Sequence, residues 1–121
     1  MSGPLTGIRI IEIGGMGPAP FAAMVLADLG AEVLRVERPA KVAPASTMAT
    51  HDDLAGFDVL SRGRRSAAID LKHADGVALV VRLAAEADAF IEGFRPGVAE
   101  RLGVGPDVLC GANGRLVYGR M

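Results

Sequence analysis

Ile8-Arg9-Ile10-Ile11-Glu12-Ile13 runs into Gly14-Gly15-Met16-Gly17-Pro18-Ala19-Pro20, and a second strand-like run, Glu32 to Glu37, stops on Arg38-Pro39. The first run is β-branched and mostly apolar, as a buried parallel strand requires. The Gly/Pro stretch breaks it. Phe21 to Leu29 then reads as a helix, with Pro20 in its first turn and Gly30 at its C′ position. Residues 1–39 therefore predict one strand–loop–helix–strand unit.

Working outward, the same alternation continues. Ala67 to Leu71 predicts a short strand that ends on Asp70-Leu71-Lys72. Asp75 to Ala87 predicts a helix with Val77, Val80, Val81 and Ala84 on one face. Ala89 to Glu92 is the next strand, followed by the turn Gly93-Phe94-Arg95-Pro96-Gly97. Val98 to Leu102 and Pro106 to Ala112 read as helices, and Leu116 to Arg120 as a fifth strand. The stretch from Ala40 to Arg65 has no clear period, beyond a helical turn suggested around Asp52 to Phe57. A connection of that length is more often functional or mobile than neutral. The pattern predicts an α/β fold, a Rossmann-like open parallel sheet with helices on both faces. The chain ends at Met121, within or just after a strand. Residues 1–121 are therefore expected to be the N-terminal part of a larger domain, with the sheet incomplete at the C-terminus.

Composition limits the function. Half of the 121 residues are hydrophobic and the net charge is −1 with a pI of about 6.1. The arginines are dispersed, which argues against a nucleic-acid surface. One cysteine, Cys110, cannot form an internal disulfide, as expected in a reducing compartment. The start of the chain lacks a signal-peptide pattern, and no apolar run reaches membrane-spanning length. A cytoplasmic protein without nucleic-acid or membrane partners is expected.

The first loop starts like a dinucleotide fingerprint, with Gly15 and Gly17, and Glu37 stands where an acid would meet a ribose. Pro20 replaces the third glycine, however, and two prolines remove backbone donors that would cradle a pyrophosphate. Arg38, Arg95 and Arg101 carry more weight. In an open α/β sheet the carboxyl ends of the strands share one edge, so distant residues converge there. Several arginines and Lys72 around one crevice suit a ligand with several phosphates.

The residues also resemble a known family. Gly3-Pro4-Leu5, Ile8 to Glu12, Phe21-Ala22-Ala23-Met24 and Leu26 to Val33 are similar to the start of the family III CoA-transferases, which include the α-methylacyl-CoA racemases. Asp70-Leu71-Lys72, Ile91 to Gly97 and Arg101-Leu102-Gly103 follow in the family's order. The Gly14 to Pro20 loop, Arg38-Pro39 and the Gly-Phe-Arg-Pro-Gly turn look more like the racemase branch. The loop between Arg38 and Asp70 departs from it in being longer.

The resemblance implies that the CoA nucleotide is held by Arg38, by Ile69, Asp70, Leu71 and Lys72, by Gly93, Phe94 and Arg95, and by Arg101. It implies an acyl-CoA thioester as substrate, with no prosthetic group and no metal. The activity implied is proton exchange at C2 of a 2-methylacyl-CoA, or CoA transfer between carboxylic acids. The full-length protein would form an intertwined homodimer. The family's catalytic residues fall beyond Met121, so no catalytic residue is expected within the chain, and a fragment or paralogue that only binds is the remaining alternative. His51, His73, Asp52, Asp53 and Cys110 are read as surface or packing residues.

Overall fold

The computed structural model describes residues 2–39 and 59–121. Five strands form one sheet: β1 (Arg9–Ile13), β2 (Glu32–Glu37), β3 (Arg65–Ala68), β4 (Ala89–Glu92) and β5 (Val117–Arg120). The order is β3-β2-β1-β4-β5 and every pairing is parallel. Parallel neighbours need crossovers, and these place helices on both faces. They are α1 (Pro18–Asp28), α2 (Ala74–Ala85), α3 (Val98–Leu102) and α4 (Pro106–Ala112). The expected α/β sheet is therefore the one observed.

Each face has its own core. Ile10, Val33 and Ile91 meet the small residues Ala19, Ala23 and Ala27 of α1. On the other face Ile11, Ile13, Val36 and Phe90 pack under Val80 and Ala84 of α2, Ala99 of α3 and Leu109 of α4. The alternation along β1 follows from the period of two in a strand. Alanines let α1 lie close to the sheet, while the opposite face is filled by larger side chains and three helices.

The boundaries that differ most from the sequence reading are those of α1 and β3. α1 begins at Pro18 rather than Phe21, because both prolines fit a first turn whose N–H groups lack partners anyway. Its N-cap, Gly17, has φ 93° and ψ −140°, a backbone conformation open essentially to glycine. β3 begins at Arg65 and ends at Ala68, so Asp70-Leu71-Lys72 does not close the strand. There Asp70 Oδ1 accepts the Lys72 backbone N–H at 2.9 Å, and that local turn replaces the ladder. A 3-10 turn, Val59–Ser61, precedes β3 where unpatterned loop was expected. The helical turn suggested at Asp52 to Phe57 lies outside the described residues.

Candidate functional site

The strand order reverses at β1, which has β2 on one side and β4 on the other. In such sheets the ligand crevice opens at the carboxyl ends of the strands flanking that point. By that rule it would lie here between the Gly14–Gly17 loop and the turn after β4. The turn after β4 comes close to the start of α1, just after that loop: a Cβ added to Gly93 would stand 3.4 Å from Ala19 Cβ.

The predicted site residues collect on this edge. Arg38 is exposed immediately after β2. Ile69 is buried, and its N–H extends the β2–β3 ladder by donating to the Glu37 carbonyl at 2.9 Å. Leu71 is half-buried against the larger core, while Asp70 and Lys72 are exposed. The Phe94 N–H donates to Glu92 Oε2 at 2.7 Å, fixing the turn that exposes Gly93 and Arg95. Arg101 stands on the last turn of α3. Its neighbour Glu100 contacts Arg120, the last residue of β5, which places α3 on the same edge.

The electrostatics of the edge are lopsided. Arg38, Lys72, Arg95 and Arg101 form no ion pair or side-chain hydrogen bond among the described residues. The carboxylates that close or follow the strands are each engaged. Glu37 meets Arg35 at 3.1 Å, Asp70 caps its own turn, and Glu92 and Glu100 both meet Arg120. Arg65, Arg82 and Arg115 likewise have no side-chain partner among the described residues, but they sit at the start of β3, late on α2 and before β5, away from this edge.

Two buried acids escaped the sequence reading. Glu12, inside β1, is fully buried and meets Arg64 Nε at 3.0 Å; the Arg64 side chain is 1% exposed. The contact is ionic rather than a well-aligned hydrogen bond. Arg64 also donates to the carbonyls of Pro20, at 3.1 Å, and Leu60. It thereby ties the start of α1 to the segment leading into β3. Burial pushes the Glu12 carboxyl above its ordinary range, and Arg64 and Arg35 offset part of that rise. Glu92, at the end of β4, is likewise buried, with Oε1 2.9 Å from Arg120 Nε. Burial, with the nearby Glu92 charge, raises the Tyr118 hydroxyl, which donates to the Val104 carbonyl at 2.8 Å. The available signal was an acid in an otherwise apolar parallel strand, which demands a cation somewhere in the fold.

Other candidates are accounted for locally. His73 is exposed and caps α2, its Nδ1 accepting the Asp75 N–H at 3.1 Å. Cys110 is half-buried, with Sγ 3.9 Å from the Leu116 carbonyl. His51, Asp52 and Asp53 lie outside the described residues. No cluster of His, Cys, Asp and Glu suited to a metal occurs among the described residues, and no described helix is long and apolar enough to cross a membrane. A cleft at the opposite, amino-terminal end of the sheet is rimmed by Arg9 and Glu32, which pair with each other at 3.6 Å. It has an apolar floor of Ala27, Ala31 and Leu83, and none of the predicted residues line it.

The model of the family described as CoA-transferase family III matches residues 5–121. Mouse α-methylacyl-CoA racemase is 43% identical over 117 residues, covering 97% of this chain and 27% of the mouse protein. The α subunit of succinyl-CoA–L-malate CoA-transferase from Chloroflexus aurantiacus is 39% identical over 122 residues, covering 98% of this chain and 28% of its own length. A crystal structure of a CaiB/BaiF family protein from Brucella suis superposes with a TM-score of 0.83 at 31% identity, covering 99% of this chain and 33% of that one. The chain thus spans less than a third of the curated relatives it matches. On a match that runs from Leu5 to Met121, the chain belongs to CoA-transferase family III.

Proposed function

We propose that this chain holds the nucleotide half of an acyl-CoA thioester at the carboxyl edge of its sheet. The protein it belongs to is an α-methylacyl-CoA racemase on this reading. The observation that carries the proposal is the set of cations Arg38, Lys72, Arg95 and Arg101, unengaged among the described residues, on an edge whose described strand-end carboxylates are all occupied. CoA offers a 3′-phosphate and a diphosphate. Guanidinium groups grip such oxygens bidentately, and Lys72 adds a point charge. The backbone of Ile69 to Lys72 and of Gly93 to Arg95 borders the adenine.

The chemistry would act at C2 of a 2-methylacyl thioester. A base removes the C2 proton, the thioester carbonyl takes the charge as an enolate, and a proton returns to either face. Nothing is oxidised or reduced. The proton-moving groups are not assigned to residues of this chain. A CoA-transferase is the second reading, supported by the 39% identity to the succinyl-CoA–L-malate enzyme. The intertwined homodimer and the cytoplasmic location remain part of the proposal.

Calorimetric titration of CoA into the full chain tests the site. The Arg38→Ala/Arg95→Ala pair should bind about 100-fold more weakly, or ~2.7 kcal/mol. Undiminished binding by that pair would remove the site. Racemase and transferase part on one assay of the complete gene product in D2O. Deuterium entering C2 of a 2-methylacyl-CoA as optical purity falls supports racemisation. CoA appearing on an added free acid, with C2 unlabelled, supports transfer.

A further inference from the structure

We infer that Arg120 is a positioning residue for the nucleotide site, holding Arg95 and Arg101 in one frame without touching the ligand. The inference rests on the site reading above. Arg120 is the last residue of β5 and reaches two carboxylates. Its Nε donates to Glu92 Oε1 at 2.9 Å, and its Nη2 to Glu100 Oε1 at 2.5 Å. The other oxygen of Glu92 accepts the Phe94 N–H at 2.7 Å. One guanidinium thus fixes the carboxylate that shapes the Gly93-Phe94-Arg95 turn. With its other arm it fixes the helix whose next residue is Arg101.

The geometry favours arginine specifically. Two carboxylates on different elements need a planar fork with separated donors, which a lysine ammonium does not supply. Arg120 also lies 5.6 Å from the centre of the Tyr118 ring, and Tyr118 is tied to the Val104 carbonyl. The fork is therefore held from below as well.

The pairing has an electrostatic consequence. Without Arg120, Glu92 and Glu100 would be free carboxylates on an edge meant for phosphates. They would repel the ligand or draw Arg95 and Arg101 into internal ion pairs. With Arg120 engaged to both, its charge is spent on them and the two site arginines stay available.

The test is a double-mutant cycle read by CoA titration and by amide NMR of the full chain. If the wild type does not bind CoA, the site reading fails and this inference with it. If the wild type binds, Arg120→Gln should weaken binding about tenfold and shift the Phe94 and Arg95 amide signals. In that background Arg95→Ala should cost twofold or less, against about tenfold in the wild type. Full additivity, or wild-type affinity in Arg120→Gln, overturns the inference while leaving the site intact. A merely structural role would lower the unfolding midpoint and leave the cycle additive. Should Arg120→Gln fail to fold, Glu100→Gln removes only the outer arm. It should weaken CoA binding about threefold and reduce the effect of Arg101→Ala; an unchanged Arg101→Ala effect overturns the inference.

Discussion

Two ion networks fasten the carboxyl edge of this sheet, and they differ in water. Under α1, Glu12 and Arg64 are dry on both sides, at 0% and 1% side-chain exposure. Beside β4, Glu92 is dry but Arg120 is 44% exposed and its second partner Glu100 is 47% exposed. A dry pair draws its strength from low dielectric, and an orphaned member has no solvent to turn to. A half-wet network can be broken with water replacing the lost partner. The first arrangement suits a brace and the second suits a part that orients a binding surface.

Removing Arg64 should give the largest effect. Arg64→Met leaves Glu12 buried with only the more distant Arg35 charge to offset it, and breaking a buried pair costs ~3–5 kcal/mol in comparable cases. Replacing both members, as in Glu12→Gln/Arg64→Met, should recover most of that loss, because no buried charge remains. Urea unfolding checks both. If Arg64→Met costs no more than Arg120→Met, the distinction between dry brace and half-wet frame breaks.

A third fastening on the same edge uses no charge and sharpens the comparison. Gly76, in the first turn of α2, lies under the turn that carries Asp70 to Lys72. A Cβ there would meet the Asp70 carbonyl oxygen at 2.0 Å and its carbon at 2.8 Å. Both are backbone atoms, so the turn itself must move. Gly76→Ala should lose ~1–3 kcal/mol as an overpacked contact. It should also weaken CoA binding, since Lys72 travels with the turn. A stable variant with displaced Asp70 and Lys72 amide signals would separate fold strength from site geometry; unmoved signals would show that α2 yields instead.

How far the sequence showed these parts depends on what punctuates them. β2 and β4 were read to the residue because Gly30-Ala31 and Arg38-Pro39 bound one, and Asp88 and Gly93 bound the other. α3 and α4 were equally plain, lying between Gly97, Gly103, Pro106 and Asn113. The end of β3 was misread because Ile69 and Leu71 look like strand, and only the Asp70 side chain turning back on Lys72 stops the ladder. That Arg38, Arg95 and Arg101 would come to one edge was legible because parallel strands must end on one edge. Their availability was not, since it depends on which arginine each acid meets. Glu12 with Arg64, and Glu92 with Arg120, are pairings across the sheet that no local period encodes.

The smallest expected effect is in acid, and there the two networks should have opposite signs. The Glu100 carboxyl is held below its ordinary value of 4.5, chiefly by the hydrogen bond from Arg120. Its contribution to stability is present above 4.5 and is lost as pH falls through the lowered folded-state value. The Glu12 carboxyl is raised, chiefly by burial. The folded state therefore binds that proton more readily than the unfolded chain, and stability falls as pH rises from 4.5 through the raised value. Urea unfolding of Glu100→Gln should differ from the wild type by a constant amount above pH 4.5, and the difference should vanish as the pH is lowered further. For Glu12→Gln the pH-independent cost of removing the carboxylate that faces Arg64 sets the baseline. On top of it, the variant should gain on the wild type as pH rises from 4.5. Glu100 is half-exposed and screened by solvent, so its change is the harder to resolve. Parallel slopes for the two variants would mean that Glu12 is held as a charge as firmly as Glu100, and the contrast between a dry brace and a half-wet frame would lose its electrostatic basis.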